Sequence, residues 1–204
     1  MLIMVGMMFG SDFDEEFVIE KDSPDMKAIE ELKKVKDERV SNDDKISVLN
    51  KVNEDIKKGI ITKPALPSIL QRSSEVAVAA CKSGDGDQVV EATEEIVKTA
   101  LTKDKKLTPQ AFDVFSRIIN RMPDELTSFN VAAFNRAASA FADNLKKDVE
   151  CYDGYQAADL FEKMEGLKPS KGVEDKGAIE SSKEKVKKSL NKAKDIIVKR
   201  SVSR

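Results

Sequence analysis

Residues 68–82 have the sequence SILQRSSEVAVAACK. If they are helical, residues 76–81 place apolar side chains on nearly every side, and a helix that is apolar all round is buried. We therefore expect a helix over residues 68–82, ended by Gly84, at the centre of an all-α fold.

The segments after this helix have the three- and four-residue apolar spacing of further helices. One helix is predicted to start at Thr108, which is followed by Pro109. A longer helix is predicted within residues 124–150, with Phe134 and Phe141 on one face. No segment alternates polar and β-branched residues, and no internal repeat is evident. We therefore predict no sheet, and a compact bundle of four or five helices over residues 62–166.

Residues 23–60, before the bundle, form a charged segment with a narrow apolar stripe. Ser23 followed by Pro24 is a typical helix start. Ser41 provides a second N-cap, and Gly59 is a typical C-terminal stop. The pattern predicts either a helical hairpin or one broken helix that lies on another surface.

Residues 1–22 form an apolar-acidic arm, in which Phe9, Phe13 and Phe17 recur every four residues among acidic side chains. The spacing predicts a short helix that docks in a partner's groove, and the alternative is a sticky disordered tail. The arm lacks a basic region, and its apolar start is far shorter than the roughly 20 residues of a membrane span. We therefore expect neither a signal peptide nor a membrane span.

The C-terminal part of the chain is a linker, residues 167–177, followed by a basic amphipathic helix, residues 178–204. The apolar face of this helix carries Val186, Leu190 and Ile197, which we expect to contact a protein partner. Nucleic acid is the alternative partner, because the other faces are rich in basic residues. These are Lys183, Lys187, Lys188, Lys192, Lys194, Lys199 and Arg200. The helix has no aromatic residue, which disfavours base stacking and an anionic membrane surface.

The chain contains no histidine, so the commonest catalytic base and metal ligand is missing. Its two cysteines, Cys81 and Cys151, lie seventy residues apart, which argues against a zinc site. Residues 83–87 form a glycine-rich turn whose aspartates would repel phosphate, and its spacing fails the calcium-loop pattern. We predict no catalytic site, no metal site and no cofactor.

Charge is unevenly distributed along the chain, although the net charge is only −2. Residues 12–25 hold seven acids and one base, and residues 168–204 hold twelve bases and five acids. Oppositely charged arms can join neighbouring subunits. We therefore predict a non-enzymatic structural or adaptor subunit of a larger assembly, such as a viral or phage particle. Its partners would be other proteins or further copies of itself.

Two other functions fit the same features. One is a nucleic-acid-associated accessory protein that uses residues 183–204, and the other is a regulatory or chaperone-like protein whose arm covers a partner's groove. Two cysteines are too few for a disulfide framework. We therefore expect reduced thiols in the cytoplasm, or in a particle assembled there, and no secretion.

Overall fold

The computed structural model describes residues 3–4, 18–19, 22–147 and 154–202. Eight α-helices account for most of these residues, and the all-α prediction is confirmed. They are α1 (Pro24–Val35), α2 (Asn42–Lys58), α3 (Leu66–Ser83), α4 (Asp87–Lys103), α5 (Thr108–Asn120), α6 (Val131–Lys147), α7 (Gly154–Gly166) and α8 (Lys176–Val202). Within the described ranges, none of the helices has the length and apolar character that crossing a membrane requires.

The helices are arranged as four successive hairpins stacked in two layers. Each odd-numbered helix packs against the next odd-numbered helix, and the even-numbered helices do the same. The two helices of each hairpin also pack against each other. This is the arrangement of α-solenoids, in which each hairpin contacts mainly its neighbours. The hairpins thus stack in the order of the sequence, although the sequence itself shows no repeat.

One hydrophobic cluster runs through the whole stack, from Met26 on α1 to Ala193 on α8. Its central helix is α3, which contacts α1, α4 and α5. Val76, Ala77 and Ala80 on α3 have no exposed surface, as the apolar character of this helix predicts. The boundaries predicted at residues 60, 166 and 177 therefore do not divide the hydrophobic core.

The N-terminal hairpin follows its predicted capping signals. Ser23 and Ser41 each accept a hydrogen bond from the backbone N–H three residues ahead, at 3.2 and 3.1 Å. Gly59 ends α2 with a φ of 74°, the left-handed conformation that favours glycine. Residues 23–60 therefore contain two helices, and the alternative of one broken helix is wrong.

A lysine is buried where α1 turns into α2. Lys45 has no exposed surface, and its Nζ donates a hydrogen bond to the carbonyl oxygen of Val40. Burial lowers the pKa of this ammonium group, while the nearby carboxylates of Asp37 and Asp44 act in the opposite direction. The hydrogen bond holds the connection between the two helices against α2.

The described part of the N-terminal arm is a pair of two-residue strands. β1 (Ile3–Met4) pairs with β2 (Val18–Ile19) in antiparallel orientation, with Ile3 opposite Ile19. Phe9, Phe13 and Phe17 lie outside the described residues, so their docking as a helix stays a prediction.

A second pair of short strands lies between the last two hairpins. The helix expected within residues 124–150 begins only at Val131, after β3 (Glu125–Leu126). β3 pairs in parallel with β4 (Lys168–Pro169), inside the segment expected to be a linker. The prediction of no sheet is therefore wrong for these two-residue strands.

Residues 167–177 pack on the stack instead of forming a free linker. Leu167 and Val173 are only 1% and 5% exposed. The backbone N–H groups of Lys168 and Ser170 donate hydrogen bonds across to the β3 segment at 2.8 and 2.9 Å. This anchoring fixes where α8 begins.

Candidate functional site

A network of charged side chains joins α4 to α6. Asp87 is the first residue of α4, at the positive end of the helix dipole. Glu91 and Glu94 follow it at four- and three-residue intervals, which places the three carboxylates on one helix face. Arg136, on α6, faces all three.

Arg136 binds Asp87 most closely. Its Nε and Nη2 donate hydrogen bonds to Oδ1 and Oδ2 of Asp87 at 2.8 and 3.1 Å. Its Nη1 lies 3.5 Å from Glu91 Oε1 and 4.0 Å from Glu94 Oε2. Hydrogen bonding to Asp87, together with the other two carboxylates, raises the pKa of the guanidinium. Arg136 thus stays charged and connects two helices of one layer.

This network forms one wall of a groove of about 420 Å³ between α4 and α6, the charged groove. Its lining residues are Asp87, Glu94, Ala132, Asn135, Arg136, Ser139, Ala140 and Asp143. The alanine and serine side chains on α6 are small and leave the groove open. Each of its three carboxylates already has a cationic neighbour within the chain: Arg136 for Asp87, Lys98 for Glu94 and Lys185 for Asp143. The groove is therefore lined by charged side chains that are paired within the chain.

The far side of the charged groove is bordered by α8. Asn135 Oδ1 accepts a hydrogen bond from the hydroxyl of Ser182 at 2.6 Å. Asp143 Oδ1 lies 3.8 Å from Nζ of Lys185. Three helices of the even-numbered layer therefore hold the groove residues in place.

A second groove, of about 440 Å³, lies where the connections α5–α6 and α7–α8 meet. Its lining residues are Ser128, Val131, Gly172, Val173, Glu174 and Asp175. Beside it in the sequence, Phe129 is 66% exposed. It is a single exposed aromatic side chain, and Ile60 is the other large apolar side chain that is exposed among the described residues.

The apolar face predicted to contact a partner lies inside the protein. Val186 and Leu190 have no exposed surface and belong to the common hydrophobic core, in which α8 packs against α6. In this conformation they are therefore not available to a partner. The side chain of Ile197 lies outside what the structure describes.

The basic residues predicted for nucleic acid divide into two groups. Lys183 is 8% exposed and donates hydrogen bonds to Leu167 O and Glu180 Oε1, both at 3.1 Å. Lys187 pairs with Glu165, which raises the pKa of the lysine and lowers that of the glutamate. These two lysines are engaged within the chain.

The remaining described lysines of this set point to solvent. Lys188, Lys192 and Lys194 are exposed on α8. The side chains of Lys199 and Arg200 are outside the described part, although the helix backbone extends through them. The structure thus leaves an exposed basic surface on the C-terminal half of α8.

Cys81 is a free thiol beneath the start of α4, and it is 2% exposed. Burial, and then the carboxylates of Asp87 and Asp85, raise its pKa to about 12. The thiol is therefore protonated and inert at neutral pH. Among the described residues, no group of three or more cysteine, aspartate or glutamate side chains is placed to hold a metal ion.

Comparison with protein-family models, with curated proteins and with solved structures finds no match to this chain.

The sequence did not predict the charged groove. The acidic face of α4 was visible as Asp87, Glu91 and Glu94 on one helix face. Its cationic partner, Arg136, lies 49 residues beyond Asp87, and no local pattern pairs them.

Proposed function

We propose that this chain is a non-enzymatic structural or adaptor subunit of a larger protein assembly. The observation that carries the proposal is the stack of four hairpins, an architecture that presents long lateral surfaces to other proteins. The charged groove lies on one such surface, and the groove beside Phe129 lies at the ends of two hairpins. Both sites suit contact with a macromolecule.

The end helices of the stack support the same proposal. On α1 the exposed side chains include Lys27, Glu30 and Lys34, and on α8 they include Glu184 and Lys188. Polar outer faces on terminal repeats keep a solenoid from growing end to end. Partners are therefore expected on the lateral surfaces and on the N-terminal arm.

A viral or phage particle is one setting in which such a subunit would serve. The cytoplasm, or a particle assembled there, is the location we propose. Cys81 is consistent with a reducing location, because it is a free thiol in the described structure.

Chemical cross-linking in the cells that produce the protein tests the adaptor proposal. We expect discrete cross-linked species well above the 22.6 kDa of the chain, with mass spectrometry locating the cross-links near the two grooves. Recovery of the uncross-linked chain alone, over a range of reagent concentrations, would contradict the proposal.

The exposed Lys188, Lys192 and Lys194 favour nucleic-acid association as the second candidate function. Fluorescence anisotropy with labelled duplex DNA, single-stranded DNA and RNA tests it at about 50 and 200 mM salt. Steeply salt-dependent binding that is lost on changing these lysines to glutamate would support it. Binding to none of the three probes at low salt would reject it.

A further inference from the structure

The C-terminal ends of α2 and α4 lie side by side at one edge of the stack. Near the start of the two helices, the side-chain amide of Asn42 donates a hydrogen bond to the carbonyl oxygen of Asp85 at 2.6 Å. At their other ends, Nζ of Lys103 donates one to the carbonyl oxygen of Lys57 at 3.0 Å. The two helices therefore run in the same direction, and the connections that follow them begin at the same edge.

Six lysines gather at this edge, in the last turns of the two helices and in the connections behind them. We call it the basic edge, and its lysines are Lys57, Lys58, Lys63, Lys103, Lys105 and Lys106. Residues 54–63 and 103–106 hold only three acids against them. The starts of the same two helices are acidic instead, with Asp43, Asp44, Asp85 and Asp87. Charge is thus sorted along the direction of the helices.

Two of the six lysines have a role within the fold. Lys103 binds the carbonyl end of α2, and Lys57 pairs with Glu54 at 2.8 Å. Both positions offset the negative end of a helix dipole. The other four lysines are exposed, and within the described part of the chain their ammonium groups have neither a hydrogen bond nor an ion pair. They are Lys58, Lys63, Lys105 and Lys106.

Three of the acids near the basic edge are engaged by other groups. Glu54 is held by Lys57, and Asp104 accepts a hydrogen bond from the backbone N–H of Lys106 at 2.9 Å. Asp25, where α1 begins, is 5% exposed and accepts hydrogen bonds from the backbone N–H and the hydroxyl of Thr62 at 2.8 and 2.7 Å. The four exposed ammonium groups are therefore available to an anion from outside the chain.

The spacing of the lysines suits a dense row of negative charges. Packed helices lie about 8–10 Å apart, and this length of a nucleic acid duplex carries about five phosphate charges. A single strand carries about half as many, and an extended acidic peptide carries at most one charge per about 3.3 Å. Residues 54–63 and 103–110 contain no aromatic side chain on which an unpaired base could stack. The edge therefore favours a duplex over the other two polyanions.

We propose that the basic edge binds the phosphate backbone of a nucleic acid duplex. The inference rests on the second candidate function, nucleic-acid association, to which it adds a surface outside α8. Each of the four exposed lysines neutralises about one phosphate. The logarithm of the binding constant should therefore fall against the logarithm of the salt concentration with a slope of about −3 to −4.

Charge reversal on the two sides of the basic edge provides the test. The variant K58E/K63E changes the side that follows α2, and K105E/K106E changes the side that follows α4. K34E/K171E is the matched control, because both of its lysines are exposed and lie at the opposite edge, where α1 ends and just before α8 begins.

A second set of variants guards against loss of stability, because a glutamate at a helix C-terminus opposes the dipole. K58A/K63A and K105A/K106A remove the same charges without reversing them. Circular dichroism and thermal melting show whether each variant keeps the fold.

Fluorescence anisotropy measures the binding of each full-length protein to labelled nucleic acids of about 20 nucleotides per strand, at about 50 and 200 mM salt. The probes are a DNA duplex, an RNA duplex and a DNA single strand. We expect the wild type to bind a duplex more tightly than the single strand. Each glutamate pair should weaken duplex binding about tenfold or more, and each alanine pair by a smaller factor. The control should bind like the wild type.

Three results would overturn the inference. A wild-type chain that binds neither duplex at low salt would reject it together with the second candidate function, while the adaptor proposal is decided by cross-linking. Binding that is lost in K188E/K192E/K194E and kept in both edge variants would place the contact on α8 alone, and the second candidate function would stand. Tighter binding of labelled poly-glutamate than of either duplex would show that the edge takes an acidic protein.

Discussion

Arg136 holds Asp87 through two parallel hydrogen bonds, 2.8 and 3.1 Å long, although 49 residues separate the two in sequence. The pair joins the first residue of α4 to the sixth residue of α6. A guanidinium matches a carboxylate in this way because both groups are planar forks. The pair therefore ties the start of α4 to α6 at the wall of the charged groove.

Replacing Arg136 by lysine should lower the free energy of unfolding by about 1 kcal/mol, because an ammonium group cannot form both hydrogen bonds. Urea denaturation followed by circular dichroism measures the change. Arg39 supplies the control, since it makes a similar fork to Asp37 while its side chain is 90% exposed. Arg39→Lys should change stability little, and equal effects at both sites would contradict the expectation.

Leu190→Ala should lower the free energy of unfolding by about 2–5 kcal/mol, because Leu190 has no exposed surface in the contact of α8 with the core. Lys188→Ala, two residues away and exposed, should stay within about 0.5 kcal/mol of the wild type. Denaturant unfolding of both variants distinguishes a core helix from a tethered one. A Leu190→Ala variant as stable as the wild type would mean that α8 is not part of the core in solution.

Gly86→Ala should lower the free energy of unfolding by about 1–3 kcal/mol through overpacking. A Cβ atom at Gly86 would lie 2.9 Å from both the backbone nitrogen and Sγ of Cys81. Gly177→Ala is the matched control, because its Cβ would meet no atom within 4 Å. Alanine there should raise stability by about 0.5 kcal/mol through helix propensity. Thermal melting compares the two, and destabilisation by both would point to a different cause.

The Cys81 thiol should react with a thiol reagent only after unfolding. In a Cys151→Ser variant it is the one remaining thiol, so that its labelling can be followed alone. At pH 8 we expect slow labelling of the folded chain and rapid labelling in denaturant, because the thiol is buried and its pKa is raised to about 12. Rapid labelling of the folded chain would show that the start of α4 opens readily.

The same thiol should make stability depend on alkaline pH. The pKa of the Cys81 thiol is raised from its ordinary value of 9.0 to about 12 in the folded chain. The unfolded chain, in which the thiol has its ordinary pKa, therefore loses the proton first as pH rises. The stability of the wild type relative to a Cys81→Ala variant should therefore be constant below pH 9 and fall above it. Denaturation curves of both proteins between pH 7 and pH 10 measure the difference. A constant difference over this range would contradict the burial of the thiol.

Local signals in the sequence predicted much of the helical structure. Ser23, Ser41 and Gly59 act through groups within a few residues of themselves, so that their neighbours in sequence suffice to recognise them. The all-apolar stretch of α3 likewise indicated a buried helix, because its burial follows from its composition.

The arrangement of the helices, in contrast, depends on contacts between residues that are distant in the sequence, and the spacing of apolar residues does not reveal which of them pair. The stripe of Val186 and Leu190 showed that α8 needs an apolar partner, but it could not show that the partner is α6 of the same chain. β3 escaped prediction because Leu126 is held by pairing with a segment more than forty residues away. The charged groove depends on the same kind of distant pairing, between Arg136 and Asp87.

The burial of α8 has a consequence for the order of events during synthesis. Val186, Leu190 and Ala193 cover apolar surface of the preceding hairpins, so that surface stays in water until these residues have left the ribosome. The earlier hairpins can pair as they emerge, since each contacts mainly its neighbours. A nascent chain stalled before residue 186 would therefore carry an open apolar edge, the kind of surface that chaperones hold and that aggregates when they do not.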